Sequence, residues 1–345
     1  MSVSIRPAEM DREAVTLLSL LQRELSPLVD DSRLNWLYRS CPHGEAKVWV
    51  AAEENSGRLL GTAAVFPRRM TFGSGTENGF VFGDFCISTE HRSLGLAVRL
   101  QRRCLEEVER TGFVAGYDLP SNTMLAVYRR LGRQPSSKLV RLVKMLRTEN
   151  WIATKMKSRT FAKVLSPAAN TFLRMQRGSF QMKSDVRVEV QNQRFDEEYT
   201  ELAHHIGAEL GACVERTAEY LNWRYLDHPQ HKYEVLTARQ AGHLEGYLVL
   251  RREGGTVTIV DWFGKGPAEL RKDLIRGLVA FLRPQGCERV QASILASHPY
   301  HDDLCALGFR PRESSPVMFF RTSEGLPSES TAHGSWLLMD GDRES

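Results

Sequence analysis

The segment Leu34-Asn35-Trp36-Leu37-Tyr38, followed by Pro42, returns 187 residues later as Leu221-Asn222-Trp223-Arg224-Tyr225, followed by Pro229. Further matches keep the same order: Gly61 with Gly246, Asp84 with Asp261, Ser121 with Ser297, and Leu131-Gly132 with Leu307-Gly308. A collinear set at this spacing means two copies of one unit of about 140–160 residues, a period far longer than that of a solenoid. The chain of 345 residues is long enough to hold two such units as domains of ordinary size.

Apolar periodicity gives each copy the same alternation. In the first, strands are predicted near 3–6, 47–53, 58–66, 79–88, 113–117 and 137–146, with helices near 10–24, 31–40, 95–111 and 121–132. In the second, strands are predicted near 186–190, 232–238, 243–251, 256–262, 288–294 and 316–321, with helices near 196–210, 217–227, 267–283 and 299–307. The fold class is α/β, each copy a mixed central sheet flanked by helices. Trp336-Leu337-Leu338-Met339 is read as a last edge strand. The boundaries are 1–147 and 185–345 for the domains, with a linker at 148–184.

One stretch of the first copy carries chemistry. An apolar strand through Val81, Phe82, Phe85 and Ile87 ends in the turn Arg92-Ser93-Leu94-Gly95-Leu96-Ala97. An amphipathic helix follows, with Leu96, Leu100, Cys104 and Val108 on one face. Strand, small-residue turn and helix N-terminus together cradle a phosphate, because backbone N–H groups and the helix dipole both favour an anion. Gly95 and Ala97 permit close backbone approach, and Arg92 adds a fixed charge.

This pattern resembles the pyrophosphate loop of the GNAT acyl-CoA-dependent acyltransferases, Arg/Gln-x-x-Gly-x-Gly/Ala. The elements after it agree with that family in order: a strand, a turn, then a short helix with Asn122 at its start and Tyr128 before Gly132. The resemblance covers roughly residues 3–146, and it makes both copies GNAT-like domains. It implies that acetyl-CoA or another acyl-CoA is the co-substrate and that the acyl group passes directly to an amine. It further implies that Phe85, Cys86, Ile87 and Ser88 meet the pantetheine, that Arg92, Ser93, Leu94, Gly95, Leu96 and Ala97 hold the pyrophosphate, and that Asn122 anchors the pantetheine or a water.

By the same resemblance Tyr128 is the general acid for the leaving thiolate. Asp84 interrupts an apolar strand just before the pantetheine contacts and is the candidate base; its match with Asp261 equally fits a structural carboxylate or one that binds the substrate ammonium. Trp36 and Tyr38 lie on the acceptor side of such folds, where they stack on an acceptor or pack the core. The second copy carries no phosphate loop: three residues are missing where it belongs, Trp262-Phe263-Gly264-Lys265-Gly266-Pro267 stands there, and Leu304 replaces the Tyr. One acyl-CoA site, in the first domain, is expected. The acceptor is expected to be a small-molecule amine, such as an amino sugar or other small metabolite. Alternatives are a Fem-type aminoacyl transferase using aminoacyl-tRNA and a non-catalytic acyl-CoA sensor.

Charge narrows the partners. The net +4 is mild, and between Asn150 and Asp185 seven Lys and Arg face one Asp, so the basic surplus belongs to the linker and not to a nucleic-acid-binding face. A basic amphipathic stretch at 151–183 would either touch an anionic membrane surface or pack between the domains. No apolar run is long enough to span a bilayer, the N-terminus reads as a strand and not a signal peptide, and the six cysteines form no Cys-x-x-Cys pair. These features point to a cytoplasmic protein with free thiols. His298, His301, Asp302 and Asp303 open a short helix and lack further ligands, so no metal is expected.

Overall fold

The computed structural model describes residues 2–73, 75–92, 94–147, 186–322 and 336–344. The linker expectations at 151–183 lie outside the described residues. The first half runs β1 (Val3–Pro7), α1 (Met10–Glu24), α2 (Asp31–Leu34), β2 (Lys47–Glu53), β3 (Leu59–Phe72), β4 (Gly75–Ile87), α3 (Leu94–Val108), β5 (Ala115–Asp118), α4 (Asn122–Arg130) and β6 (Ser137–Met145). The second runs β7 (Arg187–Gln191), α5 (Glu197–Leu210), β8 (Ala212–Val214), α6 (Ala218–Leu221), β9 (Tyr233–Gln240), β10 (His243–Glu253), β11 (Thr256–Gly264), α7 (Ala268–Leu282), β12 (Arg289–Leu295), α8 (Pro299–Ala306) and β13 (Arg310–Arg321). A short β14 (Trp336–Leu337) closes the tail. Apart from β8 and the tail, the two halves repeat one order of elements.

The halves do not keep separate sheets. One sheet runs β1-β2-β3-β4-β5-β13-β6-β12-β11-β10-β9-β7. That order is a palindrome in the repeat, except that the last strand of each half has crossed over. β13 pairs with β5 of the first half, and β6 pairs with β12 of the second; β6 and β13 also pair with each other, all antiparallel. β4–β5 and β11–β12 are the matching parallel pairs.

The repeated Leu-Asn-Trp-x-Tyr sequence explains itself at the local axis between the halves. In both copies a short helix passes into a π-helical turn, Asn35–Arg39 and Asn222–Leu226. The wide turn is closed by Ser40 N–H to the Asn35 carbonyl at 3.0 Å and by Asp227 N–H to the Asn222 carbonyl at 2.9 Å. Trp36 and Trp223 then stack with ring centroids 4.7 Å apart. Each indole donates to the other's carbonyl, at 2.8 and 3.0 Å. Each buried Trp N–H thus has an acceptor. Of the two expectations for Trp36, these contacts favour packing at the junction between the halves.

The tail adds a short last strand with β8 as its one neighbour among the described strands. Trp336 and Leu337 pair with β8, which pairs in turn with the end of β3, and Trp336, Leu337, Leu338 and Met339 are all buried. Beyond them, Asp342 meets Arg216 at 3.0 Å, and the Arg216 guanidinium also reaches Asp261 at 3.2 Å. Glu344 is ion-paired with Arg68, and Arg224 approaches it at 3.6 Å. The tail thus supplies carboxylates to arginines that the sheet has buried.

Candidate functional site

β4 and β5 pair only over Gly79–Val81 and Ala115–Tyr117. Past that point the strands part, and residues 82–87 of β4 have no partner on β5. A cavity of about 780 Å³ opens there, with Phe82, Asp84, Phe85, Asp118, Ser121 and Glu344 in its wall. The Thr89–His91 turn and the N-terminus of α3 follow directly on β4. A helix directs toward this end N–H groups that its own turns do not use.

The loop is open where a phosphate needs space. A Cβ built on Gly95 would meet no atom within 4 Å. Arg92 is exposed and stands 3.8 Å from Glu24. Glu24 accepts from Thr89 N–H at 3.0 Å and from Thr89 Oγ1 at 2.7 Å. Leu96 and Ala97 are buried against the sheet, so their contribution here is backbone, with side chains anchoring the helix. Ser93 lies outside the described residues; of Leu94 the helical backbone alone is described. Ser88 is buried and its hydroxyl has no hydrogen-bond partner among the described residues. A buried hydroxyl without a partner is costly, and at the end of a bared strand it suits a ligand carrying amides. The parted strands, the open Gly95 and the Ser88 hydroxyl fit an acyl-CoA in its expected orientation.

Asp84 is the most constrained residue of the site. It lies in a β-bulge, where Asp84 and Phe85 stand between the partners of Thr62 and Ala64, and its φ is 45°. A non-glycine residue in this region costs about 1–3 kcal/mol and calls for compensation. The compensation is visible: Arg33 donates to both carboxylate oxygens at 2.8 and 3.0 Å, and Tyr38 Oη donates at 2.7 Å. This corrects the reading of Tyr38 as an acceptor contact, because its hydroxyl belongs to Asp84. The same contacts make Asp84 the buried ion-pair partner of the Arg33 guanidinium. Removing one partner of a buried pair costs about 3–5 kcal/mol. Asp261 of the second half is paired with Arg216 in the same way, but its bulge sits one residue earlier, at Val260, and Asp261 is not left-handed.

Tyr128 is fully buried and does not reach the cavity wall. Its hydroxyl donates to Asp118 Oδ2 at 2.6 Å and accepts from Gln101 Nε2 at 3.3 Å. Burial pushes the Asp118 carboxyl up to about 7 against the hydrogen bonds of Tyr128 and the Leu119 N–H. Asn122 is exposed in the first turn of α4; in the cavity wall there stand Ser121, which caps the helix by accepting from Met124 N–H at 3.2 Å, and Met124 itself. Burial raises the Cys86 thiol to about 12, far from a nucleophilic thiolate. Sequence reasoning passed over Arg33, Gln101, Asp118 and Glu344.

In the second half the corresponding space is filled. Trp262 and Tyr300 are buried with ring centroids 4.2 Å apart, Tyr300 Oη donates to the Gly264 carbonyl at 3.3 Å, and Leu304 occupies the position of Tyr128.

Residues 15–132 match the model of the acetyltransferase (GNAT) family. A search of curated proteins finds no match. Among solved structures, the chain is similar to a probable N-acyltransferase from Enterococcus faecalis, with TM-score 0.66, 12% identity, and 93% of this chain and 72% of that one covered. It is similar to a GCN5-related N-acetyltransferase from Anabaena variabilis, with TM-score 0.66, 13% identity and coverage of 92% and 72%. It is also similar to Saccharomyces cerevisiae N-myristoyltransferase with bound myristoyl-CoA, with TM-score 0.55, 12% identity and coverage of 92% and 82%. At these identities the likeness is one of fold.

Proposed function

We propose that this acyltransferase, whose residues 15–132 form a GNAT domain, moves an acyl group, acetyl in the simplest case, from acyl-CoA to a small cationic amine. The observation that carries the reading is the parting of β4 from β5 beside the open N-terminus of α3. Arg92, Gly95 and the first turn of α3 hold the pyrophosphate. Phe85, Cys86, Ile87 and Ser88 line the pantetheine path with backbone groups and one hydroxyl, and the same backbone supplies donors for the charge that develops on the carbonyl oxygen. Asn122 lies beside that path.

The acceptor side is acidic. Asp30, Asp84, Asp118 and Glu344 line the cavity against Arg33 and Arg343. An ammonium is favoured there, and an amino sugar or another small amine metabolite fits the chemistry. Asp84, fixed by Arg33 and Tyr38, contributes field and shape. In this reading residues 1–147 form the catalytic unit, 148–184 the linker and 185–345 a structural partner without an acyl-CoA site.

The test is release of free thiol from acetyl-CoA against a panel of amines. Amine-dependent release is expected, and ribonuclease should not affect it, whereas an aminoacyl-tRNA donor would make the reaction ribonuclease-sensitive. Calorimetry should give one acyl-CoA bound per chain. Two equivalent sites would contradict the filling of the second half by Trp262, Tyr300 and Leu304.

A further inference from the structure

Asp118, Tyr128 and Gln101 form a buried polar trio that the fold does not require. β5 and β12, α3 and α7, and α4 and α8 are equivalent elements. At the positions matching Gln101, Asp118 and Tyr128 the second half carries Ile275, Ile294 and Leu304, each fully buried. The same architecture therefore closes over three aliphatic side chains. Burying a carboxyl, an amide and a phenol in their place is costly unless each is hydrogen-bonded. In the first half they are, and the cluster sits where β4 and β5 part. Asp118 is the last residue of β5, just beyond its final pairing with β4. Asp118 and Gln101 line the cavity; Tyr128 stands outside its wall.

We propose that the carboxylic acid of Asp118, and not the Tyr128 phenol, hands the proton to the leaving thiolate, with Tyr128 and Gln101 as positioning residues that hold the carboxyl group at the cavity wall. This rests on the acyl-transfer reading above. Tyr128 donates to Oδ2, so the acid proton of this cavity-wall residue is assigned to Oδ1. As the amine nitrogen forms its bond to the carbonyl carbon, the C–S bond breaks and its electron pair passes to sulfur. Sulfur takes the Asp118 proton. The ammonium of the acceptor first gives one proton to cavity water, which frees the lone pair for attack; the proton left surplus on nitrogen after the C–N bond forms leaves the same way, and water reprotonates Asp118 for the next turnover.

The surroundings favour an acid that is protonated near neutrality. Around the pair stand Cys104 of α3, Arg133 beyond α4 and the apolar Met318 and Phe320 of β13. The other charged groups of the cavity wall are Asp30, Asp84, Glu344, Arg33 and Arg343, with His231 also present. Burial, opposed by the hydrogen bonds of Tyr128 and Leu119, sets the carboxyl at about 7.

The experiment is the pH dependence of kcat for thiol release, with acyl-CoA affinity measured separately by calorimetry. Wild-type kcat should fall above about pH 7, as the acid ionises. Asp118→Asn should lower kcat by roughly 10²–10⁴-fold, abolish that limb, and leave acyl-CoA affinity in place. Tyr128→Phe should lower kcat by less than about tenfold at pH 6. It should also move the limb upward, because the carboxylate loses a donor that stabilises its charged form. Wild-type turnover by Asp118→Asn, or a large loss in Tyr128→Phe at every pH with the limb unmoved, would overturn the proposal. If Asp118→Asn fails to fold, the limb in Tyr128→Phe decides alone. Absence of amine-dependent release by wild-type enzyme that binds acyl-CoA would overturn the transfer reading and this proposal with it. Release by wild type with unaffected variants would overturn this proposal alone.

Discussion

Replacing Gly95 with isoleucine abolishes acyl-CoA binding and leaves the fold standing. Gly95 is exposed in the first turn of α3, with a helical backbone and open space around its Cβ direction. An added side chain therefore meets nothing of the protein, and exchanging glycine for isoleucine in a helix gains a few tenths of a kcal/mol in propensity. What it meets is the anion. Hydrogen bonds to charged groups contribute about 1.5–3 kcal/mol each. Displacing the pyrophosphate from two N–H donors weakens binding by roughly 10²–10⁴-fold. Calorimetry with acyl-CoA and a thermal melt of the same variant check both halves of the expectation. Unchanged affinity would remove the pyrophosphate from this loop.

Asp342→Ala destabilises the protein by about 3–5 kcal/mol. Arg216 and Asp342 are both about 1% exposed at their side chains, and one guanidinium serves Asp342 and Asp261 together. Asp342 also accepts from Met339 N–H at 2.9 Å, and its carbonyl accepts from Tyr117 Oη of the first half. Removing its side chain leaves a buried guanidinium with half its counter-charge and Met339 N–H without its acceptor. Against a typical stability of about 5–15 kcal/mol this is a large fraction, readable as a shift in the urea midpoint. Pairing Asp342→Leu with Arg216→Met should not recover the loss, because Asp261 would then be buried without its guanidinium. A loss below about 1 kcal/mol in Asp342→Ala would show that the tail is not held by this pair.

Local pattern carried the fold a long way. The strand periods, the helix at 94–108 and the repeat all appear in the sequence, because alternation and 3.6-residue spacing are properties of neighbouring residues. What escaped was long-range. The exchange of β6 and β13 leaves both strands with the same apolar pattern they would have in separate sheets. The three-residue β8 is too short for periodicity to register. β3 runs past its apolar stretch into Arg68, Arg69 and Thr71, because its end also pairs with β8 and is largely buried there, and β4 begins at the exposed Gly75, Glu77 and Asn78, where pairing continues without burial. The π-helical turns read as ordinary helix.

The site divided in the same way. The loop at 92–97 is a local signature and was legible. Arg33 was not, because its partner Asp84 lies 51 residues away. Asp118 was taken for a turn residue before Leu119-Pro120. The signal that would have marked it was available in the repeat: an acidic residue where the other copy has Ile294. Repetition identified Asp84 by likeness, whereas Asp118 is identified by difference.

The crossing of the last strands also sets a timetable for synthesis. The first half offers β5 as an open edge as soon as it leaves the ribosome, and the strand that covers it, β13, is encoded at residues 310–321. At 5–20 residues per second, roughly 10–40 s pass between the two. Until then a β-strand with free hydrogen-bonding groups stands at the centre of the future sheet, where it invites pairing with neighbouring chains. A nascent chain of this design depends on its own last third, or on a chaperone that covers β5 in the interval.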